Sequence, residues 1–106
     1  MSLLPNEINI NEIRTQLSLL AKNLLDALEN NDRAKALVAQ QAFTGTISTL
    51  WTETEEIGVD PKIKAILRLV AGWAITELPN QIQDPANEEK IKRELKIFQN
   101  SLILVS

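Results

Sequence analysis

The sequence predicts an all-α protein, an antiparallel up-down-up-down four-helix bundle folded as one domain over residues 1–106. Three observations lead there. Apolar residues return every three or four positions along most of the chain, as one face of a helix requires. Helix-starting signals recur at Asn9, Asp32, Asp60 and Asp84. The connections between the periodic stretches are short, which makes sequential neighbours pack side by side in opposite directions.

The first helix is expected over about residues 10–29. Asn9 with Glu12 three positions later resembles a capping box, and Ile13, Leu17, Leu20, Leu24 and Leu28 form its stripe. Asn30-Asn31-Asp32 is turn chemistry, and Asp32 or Asn31 is placed to cap the next helix.

The second helix spans about residues 33–57, with Ala36, Ala39, Phe43, Ile47, Leu50, Thr54 and Ile57 as its seam. Gly58 stands where a left-handed C-terminal cap is favoured. The middle, FTGTISTLW, is the least helical stretch. Gly45 and its β-branched neighbours lower helix propensity, and residues 43–51 also alternate as a strand would. A lone strand would lack a partner, so a helix is expected, with a kink near Gly45 as the natural compromise.

The third helix, about residues 61–78, opens on Asp60-Pro61, an acceptor followed by a proline at the first helical position. Ile63, Leu67, Val70 and Ala74 are its main seam, and Pro79-Asn80 is expected to end it. The loop PNQIQ leads to Asp84-Pro85, which repeats the start signal for a fourth helix over about residues 85–102. There Glu88 and Glu89 precede Lys90, Lys92, Arg93 and Lys96, in the order that complements the helix dipole. Its stripe is Ile91, Leu95, Phe98 and Leu102. Whether the terminal SLILVS continues this helix is left open. The similar triplets Lys62-Ile63-Lys64 and Lys90-Ile91-Lys92 reflect the common needs of amphipathic helices rather than duplication.

The stretch LVAGWAI, residues 69–75, raises the functional question. On a helical wheel, Lys64, Arg68 and Thr76, with Ala65 and Gly72, fill one strip about 120° wide. The remainder is apolar, roughly twice the stripe an ordinary surface helix needs. Beside the main seam runs a second one, Ile66, Leu69 and Trp73. Either this helix is the most central of the four, or the second seam meets another subunit. Gly72, beside Ala71 and Ala74, suits a close backbone approach in both cases. A second candidate contact is the flank of helix 2 carrying Thr44, Ser48, Trp51 and Glu55, since aromatic residues concentrate at interfaces. Trp51 also suits a lid on the edge of the core.

Composition narrows the chemistry. There is no His, Cys or Tyr, which removes the commonest general base and the thiol nucleophile. No serine sits in a nucleophile-elbow pattern, and three scattered glycines build no phosphate loop. Glu53 and Glu56 form an E-x-x-E pair near Glu55 and Asp60, but a carboxylate metal site needs a second acidic pair opposite. Glu88, Glu89 and Glu94 alternate with lysines as a solvated face does, and Glu77 is expected to be exposed near a helix end. The expectation is therefore no enzyme, no cofactor and no metal.

The net charge of −3 argues against nucleic acid. That charge is uneven: residues 1–60 carry four bases and nine acids, residues 61–106 seven bases and five acids. The halves either neutralise one another or present one sign to a partner. No run of residues approaches a membrane span, the N-terminus lacks a signal-peptide pattern, and the lack of cysteine suits the cytoplasm.

The segment LLDALENNDRAKALVAQQ, residues 24–41, resembles the helix-turn-helix hairpins of several scaffold and chaperone families, flagellar export chaperones among them. The resemblance covers less than a fifth of the chain. Its leucines, polar turn and alanines are what any tight helix pair requires, and it carries no functional residues across. The first expectation is a non-enzymatic helical interaction module or small adaptor, self-associating as a homodimer through helix 3 or binding a protein partner. Alternatives are a bundle holding a small apolar ligand or lipid between its helices and, more remotely, a carboxylate-metal hydrolase.

Overall fold

The computed structural model describes residues 10–57 and 61–104, with side chains for 12–53, 61 and 64–104. Asn9, Gly58 and Asp60 lie outside the described residues, as do the side chains of Thr54, Glu55, Glu56, Ile57, Lys62 and Ile63. The chain forms four helical rods, with no strand among the described residues.

Helix α1 (Ile10–Glu29) ends because its last carbonyls are turned back upon. The Asn31 amide donates to the Leu28 carbonyl at 3.2 Å and the Asp32 amide to the Ala27 carbonyl at 2.9 Å. This paired closure needs a left-handed residue, and Asn31 supplies it at φ 57°. Asp32 then starts α2 (Arg33–Ile57), its carboxylate accepting from the Lys35 amide at 3.1 Å. The two roles at this junction are thus divided: Asn31 turns the chain and Asp32 caps.

Helix α2 runs unbroken through Gly45, with no strand at residues 43–51. Phe43 and Ile47, one turn apart, are fully buried, and that burial outweighs the weak local propensity. Gly45 is exposed, and a Cβ there would meet nothing within 4 Å.

The third rod departs from expectation. Helix α3 (Pro61–Ala71) passes directly into a π-helical segment (Gly72–Glu77) and a last α-turn (Leu78–Gln81). Pro79 therefore lies inside the rod instead of ending it. A proline removes one main-chain donor and crowds the preceding turn; the wider i→i+5 turn relieves the crowding, as the Leu78 amide donates to Trp73 rather than to Ala74. Ile82, expected in a loop, closes the rod and is fully buried. The buried residues Val70, Ala74, Leu78 and Ile82 step by four, a spacing that drifts about 40° per step on an α-helix of 3.6 residues per turn. The π segment takes up part of that drift.

Asp84 caps the next element through its carboxylate, which accepts from the Ala86 amide at 3.0 Å. The first turn, Pro85–Asn87, is 3₁₀, so helix α4 (Glu88–Leu104) begins three residues later than expected. Ser101–Leu104 continue it. Its stripe of Ile91, Leu95, Phe98 and Leu102 is buried as a set.

Helix α1 packs against α2 and α4, and the third rod packs against the same two. Arg33 and Thr44 of α2 reach Ile82 and Ala74 of the third rod, so contacts climb one rod while descending the other. Arg33–Glu88 and Phe43–Phe98 climb α2 and α4 together. In the centre, Phe43 and Phe98 meet edge to face with centroids 5.6 Å apart, a favoured aromatic geometry.

Candidate interaction surface

The third rod and α4 present a groove of about 240 Å³ lined by Ile66, Leu69, Val70, Trp73, Glu94, Ile97, Phe98 and Ser101. The second seam read from the sequence does not behave as one unit. Ile66 is buried at 7% exposure, whereas Leu69 stands 80% exposed. Trp73 is half-buried against the core, and its indole N–H donates to the Gln81 side-chain oxygen at 2.9 Å. That bond spans two turns and holds the ring along the groove. It leaves the apolar face of the ring to line the groove with Leu69 and Ile97, the latter 52% exposed.

Gly72 does not serve a close approach within the protomer. It is exposed, and an added Cβ would meet nothing within 4 Å. The surface around Leu69 is consequently low: Ala65 and Gly72, one turn to either side, are both exposed, and Leu69 projects between them. Arg68 is exposed beside it, and Glu77 is exposed although the rod continues past it.

The α2 flank resolves differently. Thr44 faces inward across the seam to the third rod. Its hydroxyl donates to the Ala74 carbonyl at 2.8 Å and accepts from the Gln40 side-chain amide at 2.8 Å. Gln40, 5% exposed, is itself buried, so these three groups form a satisfied polar link inside an apolar boundary. Ser48 is half-buried, and its carbonyl accepts from the Thr52 hydroxyl at 3.1 Å. Trp51 packs half-buried against the core.

Exposed apolar residues that sequence reasoning did not single out are Leu19, Val38, Ile97, Ile103 and Leu104. A signal for them existed: each lies off the stripe of its own helix. Val38 lines a wider groove of about 660 Å³ on the outer side of the α1–α2 hairpin. As α1 and the third rod share both neighbours and lie diagonally across the bundle, this groove and the Leu69 groove are on opposite faces.

The chemical inventory at these surfaces is sparse. Among the described residues no three acidic, histidine or cysteine side chains cluster as metal ligands would, and Glu53 is exposed. The rest of the E-x-x-E region lies outside the described residues. The interior is filled by Leu17, Leu24, Phe43, Ile47, Leu67 and Leu95, all at 0% exposure. Both grooves open to solvent rather than into that interior.

The described residues define a small all-α bundle whose surface carries several open, partly apolar grooves, one of them between α1 and α4 and lined by Leu19, Leu102 and Ile103. Comparison with protein-family models, with curated proteins and with solved structures gives no match. No helix among the described residues is long and apolar enough to cross a membrane.

Proposed function

We propose that this chain is a non-enzymatic helical interaction module, or small adaptor, that self-associates through the face of its third rod. One observation carries the reading: Leu69 is 80% exposed in a groove it shares with the half-buried Trp73 and with Ile97, 52% exposed. A single exposed leucine is ordinary. An exposed leucine, an exposed isoleucine and a tryptophan around one groove make a contiguous apolar patch, and such patches mark contact sites. The lack of His, Cys and Tyr supports a binding role over a catalytic one. The net charge of −3 favours a protein partner over nucleic acid, and a chain without cysteine suits a reducing cytoplasm.

Light scattering over a hundredfold dilution series tests the reading. The mass should exceed the protomer's 11.9 kDa at the concentrated end and fall toward it on dilution. A protomer mass at every concentration removes the proposal.

A further inference from the structure

We infer that the groove between the third rod and α4 is a binding site for a small organic cation, an ammonium group carried on a short apolar chain. The inference goes beyond self-association and does not depend on it, because it concerns what the groove of a single protomer holds.

The polar groups of the groove are the first ground. Three lining side chains carry polar atoms: Trp73, Glu94 and Ser101. The two donors among them are committed. The Trp73 indole N–H goes to the Gln81 side-chain oxygen at 2.9 Å, and the Ser101 hydroxyl donates to the Ile97 carbonyl at 3.0 Å. An ionised Glu94 only accepts. The lining side chains therefore offer acceptors and no spare donor, which suits a guest that donates and turns away an anion.

Charge is the second ground. Glu94 is the one charged residue of the lining, and it is half-buried. It forms no ion pair among the described residues. Lys90 and Arg93, its neighbours along α4, are exposed and do not pair with it. A carboxylate in a partly desolvated, apolar setting attracts a cation more strongly than one in open water.

The third ground is the wall of the groove. Tryptophan is the best aromatic partner for an ammonium group, and Trp73 lines the same groove as Glu94 with its ring held by Gln81. Leu69, Ile97 and Phe98 supply contact for an apolar chain. The volume of about 240 Å³, at about 30 Å³ per water-sized group, holds about eight non-hydrogen atoms. Drug-sized ligands take about 300–1,000 Å³, so the guest is small.

The probe is n-hexylammonium, with hexanol and hexanoate as its neutral and anionic counterparts. Trp51→Phe leaves Trp73 as the single tryptophan, so its fluorescence reports the groove. Calorimetry on the wild type repeats the comparison without a substitution. The protein is kept dilute enough to be a protomer by light scattering, which separates this test from self-association. Hexylammonium should bind saturably with a Kd of about 0.1–1 mM, as a small ligand in an open groove does. Hexanol should bind about tenfold more weakly, and hexanoate should not bind. Glu94→Gln should weaken hexylammonium about fivefold. Glu89→Gln, at an exposed acid of the same helix outside the groove, should leave it unchanged. Hexanol or hexanoate matching hexylammonium, Glu94→Gln binding as the wild type does, or no saturation by about 10 mM overturns the inference and leaves self-association standing. Equal losses from Glu89→Gln and Glu94→Gln overturn it too, since they mark diffuse surface charge. Binding by a chain that never self-associates removes the proposed function alone.

Discussion

The hydroxyl of Thr44 donates to the main-chain carbonyl of Ala74 at 2.8 Å, and that carbonyl has no free amide to accept from along its own rod. The Leu78 amide, four residues on, goes to Trp73. The fifth residue on is Pro79, which has no amide hydrogen. Ala74 is fully buried, so water is a poor substitute, and an unsatisfied buried carbonyl costs about 1–3 kcal/mol. A threonine from the neighbouring helix fills the place of the missing donor, and Gln40 behind it holds the hydroxyl in the donating orientation.

Thr44→Val should therefore destabilise the fold by about 1–3 kcal/mol in urea unfolding, since it strips the carbonyl of its donor and Gln40 of its acceptor. Thr44→Ser keeps the hydroxyl and should cost less. The sharper check is a double-mutant cycle with Pro79→Ala, which restores an amide to the rod. The loss from Thr44→Val should shrink when Pro79→Ala is already present; equal losses with and without it would refute the account.

Glycine substitutions probe the two open positions. Gly45→Ala should stabilise the protein by about 0.5–1 kcal/mol, because α2 is helical there, the site is exposed and nothing opposes a Cβ. Gly72→Ala meets equally open space within the protomer. It should raise thermal stability of the isolated protomer yet weaken self-association, as the methyl group raises the low surface beside Leu69. Unchanged association in Gly72→Ala would show that no partner comes close at that turn.

Arg33 fastens three elements at one end of the bundle. Its guanidinium donates to the Ile82 carbonyl at 2.6 Å and lies 4.0 Å from the Glu88 carboxylate. The carbonyl belongs to the residue that closes the third rod, so the hydrogen bond carries more weight than the long, partly exposed ion pair. Arg33→Ala should cost about 1–2 kcal/mol and accelerate amide exchange in residues 82–87. Glu88→Gln should stay within about 0.5 kcal/mol of the wild type. A larger loss from Glu88→Gln than from Arg33→Ala would reverse this ranking.

The Phe43–Phe98 contact is the central aromatic pair. Phe43→Ala, at a position with 0% exposure, should cost about 3–5 kcal/mol. Trp73→Ala removes a half-buried ring and should cost less in the dilute protomer. Its cost should rise with protein concentration if the groove is occupied by a second copy. Chemical denaturation at two concentrations distinguishes these.

Much of the fold is local information. The stripes of α1 and α4, the Asn31–Asp32 junction and the Asp84 start are set by side chains within about one turn of the backbone groups they serve. Those features are legible because both partners lie in one short window. The helical class and the four rods follow from the same windows. Residues 43–51 are ambiguous locally, and burial of Phe43 and Ile47 decides for the helix.

What the chain alone determined, then, is the capped starts at Asp32 and Asp84, which faces are apolar, and that the usual catalytic side chains are missing. Tertiary structure decided that the third rod continues through Pro79, that Ile66 turns in while Leu69 stays out, and that Thr44 serves the seam rather than the surface. The physical reason is separation: Ala74's missing donor is supplied by a residue 30 positions away. A helix wheel also cannot say which part of an oversized apolar face its neighbours will cover. That depends on where α2 and α4 lie once the whole bundle has packed.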